Sequence, residues 1–112
     1  MARSIERDEL KRRLDEEQDL VLVEVLAERE YRREHIKGAI NIPFKQIAHV
    51  ARDRFDPEQP IVVYCADRKC QASPIAAEKL EESGFRDVWE YPGGKEDWRR
   101  AGYPMEDGEG GG

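Results

Sequence analysis

The sequence predicts an α/β domain, and two observations carry that prediction. Apolar, β-branched runs too short to be helices alternate with amphipathic segments, and neither an internal repeat nor a long linker interrupts the alternation. At 112 residues the chain fits one domain of ordinary size. Hydrophobic residues make up 38% and charged residues 39%, so a modest core is expected inside a highly charged surface.

The elements follow in order. Ser4 is placed to cap a first helix in which Leu10 and Leu14 lie one turn apart. Residues 20–25 (LVLVEV) are almost continuously apolar, as a central strand covered on both faces would be. Residues 28–34 are charged and predict a short exposed helix, after which Gly38 breaks the chain and residues 39–42 (AINI) form a short strand ended by Pro43. Phe44, Ile47, Ala48 and Ala51 recur at helical spacing, and Asp56-Pro57 with Pro60 brackets a loop. Residues 61–64 (IVVY) make a second strongly apolar strand that runs straight into Cys65. Ser73-Pro74 is a helix-start signal, Ala76, Ala77 and Leu80 mark that helix's inward face, and Gly84 supplies a left-handed stop. Residues 88–91 read as a further strand, and Pro92-Gly93-Gly94 as a turn into a short helix with Trp98 on its core side. The domain is expected to span residues 1–106, with 107–112 a disordered Gly-rich tail.

Charge and length exclude several function classes. Nineteen Lys and Arg against twenty-five Asp and Glu give a net charge of −6 with the two signs interspersed, so nucleic acid is not an expected partner. No apolar run approaches the roughly 20 residues of a membrane helix, and residues 1–20 are charged where a signal peptide is apolar. No membrane partner is expected, and the expected compartment is the cytoplasm. Cys65 and Cys70 are expected there as thiols rather than as a structural staple. With His35 and His49 they lack the two closely spaced ligand pairs of the usual zinc site, so no metal is expected.

The chemistry is expected where the second apolar strand ends, at Cys65, a loop of residues 66–72, and a helix opening at Ser73. Ligands of open α/β sheets bind beyond the carboxyl ends of the strands, where a helix N-terminus offers unpaired N–H groups. Such surroundings, with Arg68 and Lys69, favour thiolate over thiol and make Cys65 the expected nucleophile. The plainer reading leaves Cys65 as a small apolar residue closing a core strand. Cys70 is the candidate resolving thiol. A loop curled around an anion brings it within the roughly 7 Å between Cα atoms that a disulfide needs, and another course points it away. His35 and Glu24 are assigned to structure and His49 to a helix surface.

Three stretches together resemble the single-domain rhodanese-like sulfurtransferases. They are residues 20–44 (LVLVEVLAEREYRREHIKGAINIPF), 61–84 (IVVYCADRKCQASPIAAEKLEESG) and 85–102 (FRDVWEYPGGKEDWRRAG). The resemblance implies about five mostly parallel strands with helices on both faces. It also implies an enzyme in which the Cys65 thiolate takes sulfane sulfur from a small anionic donor such as thiosulfate. A persulfide on Cys65 then passes the sulfur to cyanide or a thiol, without a cofactor. Ala66, Asp67, Arg68, Lys69, Cys70, Gln71, Ala72 and Ser73 would form the binding loop, and a thioredoxin-like or sulfur-carrier protein is a further expected partner. Two alternatives stand beside it: a binding or redox-sensing module acting through Cys65 and Cys70, and a phosphatase or arsenate reductase on the same fold. The sequence departs from the family's usual pattern in a longer loop without glycine, so that any position needing a positive φ must be taken by a non-glycine residue at some cost, and in Leu26, where an arginine often partners the acidic residue at Glu24.

Overall fold

Ile61, Val62, Val63 and Tyr64 are each fully inaccessible, so the strand they form is covered on both faces. Burying one such aliphatic side chain contributes about 1.5–3 kcal/mol, and three of them followed by a buried tyrosine make this strand the centre of the sheet. The computed structural model, which describes residues 2–17 and 19–108, places it as β5 (Ile61–Tyr64) among β1 (Arg3–Ser4), β2 (Val21–Glu24), β4 (Ile40–Asn41) and β6 (Val88–Tyr91). The order is β1-β6-β5-β2-β4, and every pairing is parallel. A separate antiparallel pair joins β3 (His35–Ile36) to β7 (Met105–Glu106).

Alternation along the strands sorts the core into two layers. Val23, Ile61, Val63 and Val88 pack with Ala51 of α3 (Ile47–Arg54) and with Ala76 and Leu80 of α4 (Ala72–Glu82). Leu22, Val62, Tyr64 and Tyr91 pack on the other face with Leu10 of α1 (Arg7–Glu16), Tyr31 of α2 (Glu28–Arg33) and Trp98 of α5 (Gly94–Arg100). The expected five-stranded parallel sheet with helices on both faces is therefore present.

Several local expectations are corrected. Ser4 does not cap α1; it lies in β1 opposite Glu90, and the N–H of the buried Ile5 donates to the Glu90 carbonyl at 2.9 Å. Pairing at the sheet edge draws this segment into strand, and α1 starts at Arg7 with Asp8 and Glu9 in its first turn to offset the dipole. The helix expected as exposed, α2, buries Tyr31, whose hydroxyl donates to the Ala39 carbonyl. Residues 44–46 form a single 3₁₀ turn ahead of α3. Ser73-Pro74 does not open α4, which begins one residue earlier with Gln71 as its cap residue. Pro74 is tolerated in the first turn because N–H groups there have no intrahelical partner. Gly84 ends α4 as expected: its φ is +99°, and the N–H groups of Gly84 and Phe85 donate to the carbonyls of Glu81 and Leu80, each at 3.1 Å. Of the expected tail, residues 109–112 lie outside the described residues, while the Gly108 N–H donates to the Arg32 carbonyl at 2.7 Å. Among the described residues, no helix is long and apolar enough to cross a membrane.

Candidate functional site

Strand β5 delivers Cys65 to the carboxyl end of the sheet, and α5 is clamped beneath it. The N–H of Lys95 donates to the Cys65 carbonyl and that of Glu96 to the Ala66 carbonyl, both at 3.0 Å. This approach requires Gly94. Its φ is +67°, and a Cβ there would lie 2.6 Å from the Cys65 carbonyl oxygen and 2.8 Å from both the Ala66 carbonyl carbon and the Asp67 nitrogen.

Beyond Cys65 the loop turns on Asp67. The Lys69 N–H donates to Asp67 Oδ1 at 2.9 Å and the Cys70 N–H to the Asp67 carbonyl at 3.2 Å, a side-chain turn built into a backbone turn. Arg68 and Lys69 stand at its tip, exposed, with Arg68 Nη2 3.5 Å from Glu6 Oε1. The two amides are directed at Asp67 rather than at the Cys65 sulfur. No described non-glycine residue has a positive φ, so the glycine-free loop carries none of the strain such a position would cost: the Asp67 turn needs no left-handed residue.

The same turn carries Cys70 back onto Cys65. The two are joined in a disulfide, with Cα atoms 6.3 Å apart. This overturns the expectation of two free thiols, and with it the reading of the chain as a sulfurtransferase with a persulfide on Cys65. The nucleophile in that chemistry is a thiolate, and here the sulfur is already bonded to Cys70.

The remaining loop residues are placed as follows. Ala66 and Asp67 are half-buried, Gln71 is exposed, and Ala72 packs against the core. Ser73 is 2% exposed. Its Oγ lies 3.4 Å from Cys65 Sγ, and its hydroxyl donates to Glu90 Oε2 at 3.0 Å. Glu90 went unrecognised in the sequence, although its signal is there: it shares the register of Val88, so an acid stands on a strand's inward face. Between the loop and α5 lies a cleft of about 270 Å³ whose cationic side chains, Arg68, Lys69 and Arg100, are matched by Asp67, Glu96 and Asp97.

A buried polar cluster supports the site from β2. Glu24 is fully inaccessible; its Oε2 is 2.9 Å from Lys95 Nζ and its Oε1 accepts from the Tyr64 hydroxyl at 2.9 Å. Lys95 also donates to the carbonyls of Glu30 at 3.1 Å and Glu34 at 2.6 Å. Lys95 thus supplies the cation that Leu26 does not. Desolvation holds the Glu24 carboxyl above its ordinary range even against Lys95 and Tyr64. Desolvation, reinforced by Glu24, likewise holds the Tyr64 hydroxyl well above its own. His35 is structural, as expected: it is fully buried, stacks on Tyr31 at 3.8 Å between ring centroids, and has Nδ1 2.8 Å from the Tyr31 carbonyl. His49 is exposed on α3, 3.8 Å from Asp53. Trp98 is core, its indole N–H donating to the Pro104 carbonyl at 2.9 Å.

A parallel sheet of this order, with a cysteine at the end of its central strand and a loop leading into a helix, defines a class, and the chain belongs to the rhodanese family. A family model described as a rhodanese-like domain matches residues 6–101. The chain is 36% identical over 105 residues to an HTH-type transcriptional regulator of Mycobacterium tuberculosis, covering 94% of this chain but 45% of that protein, so it spans just under half of that relative. It is 36% identical over 90 residues to a thiosulfate sulfurtransferase of Pseudomonas syringae, covering 80% of this chain and 81% of the other. A solved structure from Bacillus halodurans matches with a TM-score of 0.87 at 28% identity, over 95% of this chain and 77% of that one.

Proposed function

We propose that the chain is a redox-responsive rhodanese-like module whose state is set by whether Cys65 and Cys70 are joined. The Cys65–Cys70 disulfide carries this reading. When the bond is present, residues 65–70 form a small covalent ring; when it is reduced, the turn beyond the α5 clamp is held by the two Asp67 hydrogen bonds and the exposed Arg68–Glu6 pair. Losing the cross-link returns conformational freedom to the loop, and the exposed Arg68 and Lys69 at its tip change the surface offered to a partner. The loop of residues 66–73 is then the responsive element rather than a sulfur cradle, within a module of residues 1–106. Resemblance to part of a protein named as a transcriptional regulator supports a role in sensing. In a reducing cytoplasm the dithiol is the resting form, oxidative challenge closes the bond, and a thioredoxin-like dithiol protein reopens it.

Amide hydrogen exchange on the oxidised and the dithiol-reduced protein tests this reading. Residues 66–72 are expected to exchange faster after reduction while β5 stays protected. Equal exchange of the loop in the two states would reject it.

A further inference from the structure

The two sulfurs are not equivalent, and their surroundings assign them different roles; this inference rests on the redox reading of the same pair. Cys65 is 1% exposed and packed in the core, whereas Cys70 is only partly buried at the end of the loop. Thiol–disulfide exchange begins with a thiolate attacking one sulfur while the other leaves, so access decides which is attacked. We propose that Cys70 is the sulfur through which the couple exchanges with an outside dithiol, and that Cys65 is the leaving sulfur, kept as a protonated thiol by Ser73 and Glu90.

In reduction, a thiolate of the partner dithiol attacks Cys70 Sγ. A partner–Cys70 bond forms, the Cys65–Cys70 bond breaks, and its electron pair goes to Cys65 Sγ, which takes up a proton from solvent. The partner's second thiol then gives up its proton and attacks its own sulfur in the mixed disulfide. Cys70 leaves with the electron pair and is protonated. The partner ends as a disulfide and this chain as two thiols, a transfer of two electrons.

Ser73 fits the role assigned to it. Its hydroxyl donates to Glu90, so the Ser73 oxygen presents a lone pair to the sulfur 3.4 Å away and accepts from a thiol better than it supports a thiolate. The elements that meet at Cys65 carry charged groups, not all of them turned toward the sulfur: Glu24 is bonded to Tyr64 and Lys95. Its own loop carries Asp67, Arg68 and Lys69, β6 carries Glu90, α5 carries Lys95 and Glu96, and β2 carries Glu24; α4 contributes the neutral Ser73. Lys95 is engaged by Glu24 and two carbonyls, and Arg68 and Lys69 are exposed. Glu90 is the charge linked to the sulfur through a buried hydroxyl.

The test uses the full chain. Oxidised protein, its disulfide first verified by intact mass, is treated with glutathione, quenched with acid and mapped by peptide mass. Glutathione is expected on Cys70 with Cys65 free; an adduct on Cys65 would overturn the assignment. Failure of the disulfide to form under oxidation would overturn the redox reading itself, and the mass taken before glutathione separates the two failures. In a second arm, iodoacetamide alkylation of Cys65 is followed against pH in Cys70→Ser, with and without Glu90→Gln. An amide at position 90 donates to Ser73 and turns the serine hydroxyl toward the sulfur. The reactivity midpoint is expected to fall by about one pH unit, raising the rate near neutrality about tenfold. Ser73→Ala is expected to abolish the effect of Glu90→Gln. An unchanged pH profile on Glu90→Gln would overturn the role given to Ser73 and Glu90.

Discussion

Replacing Gly94 by alanine is expected to destabilise the protein by about 2–5 kcal/mol, and the structure says why. A left-handed φ costs a non-glycine residue about 1–2 kcal/mol, and overpacking adds roughly 1–3 kcal/mol where the neighbours cannot yield. Here they cannot: the atoms met at 2.6 and 2.8 Å are the backbone of Cys65, Ala66 and Asp67. Gly84 is the control, since its φ is +99° but a Cβ there meets nothing within 4 Å. Gly84→Ala should therefore lose only the conformational part, about 1–2 kcal/mol. Urea unfolding of both variants against wild type, followed by circular dichroism, reads the difference directly. Equal losses would refute the conclusion that the start of α5 is wedged against the base of the loop. A larger loss at Gly94 should be accompanied by faster exchange of the Lys95 and Glu96 amides, whose acceptors are the carbonyls of Cys65 and Ala66.

Reduction of the disulfide should lower stability by about 2 kcal/mol, because so small a ring removes little loop entropy from the unfolded chain; urea unfolding with and without a dithiol measures it. Lys95→Met leaves Glu24 as an unpaired buried carboxylate and should cost about 3–5 kcal/mol, much of it recovered in the double variant with Glu24→Leu, as unfolding midpoints will show. Glu24 also sets a pH effect of definite sign. Its folded-state carboxyl sits above the ordinary range, so on acidification the folded protein takes that proton before the unfolded chain does, and the group adds stability as pH falls through that window. Asp8, held low by Tyr103 and Arg7, and Glu9, held low by Arg12, act oppositely and lose their contribution as pH falls through their lowered values. Glu24→Gln should therefore lose more stability than wild type between neutral and mildly acidic pH, measured by urea unfolding at each pH.

The central layer of the fold is legible because burial on both faces leaves a mark that no other element makes. IVVY and LVLVEV read as central strands, and the spacing of Ala76, Ala77 and Leu80 reads as one helix face. Strands of two residues leave no period, so β1, β3 and β7 are invisible and Ser4 reads as a cap, whereas β4, equally short, is legible because Gly38 and Pro43 bracket its apolar run. At the site, the place of Cys65 at the end of a strand is legible from sequence. The course of the loop is not: spacing alone left Cys70 free to turn toward Cys65 or away, and the side chain of Asp67, closing on the Lys69 amide, is part of what decides. Lys95 is equally hidden, since a lysine in the charged run GKEDWRR gives no sign that it turns inward to Glu24. Family resemblance supplied the sheet correctly and the chemistry incorrectly, because the sheet depends on dozens of buried residues and the chemistry on the bonding of one sulfur.

The most direct measurement is a thiol count after equilibration in glutathione buffers that run from fully reducing to fully oxidising, quenched by alkylation and read by intact mass. One reversible transition is expected, in which both thiols of the chain disappear together and reappear together, and which Cys70→Ser abolishes. Two alkylatable thiols per chain in the most oxidising buffer would contradict the Cys65–Cys70 couple and the redox module built on it.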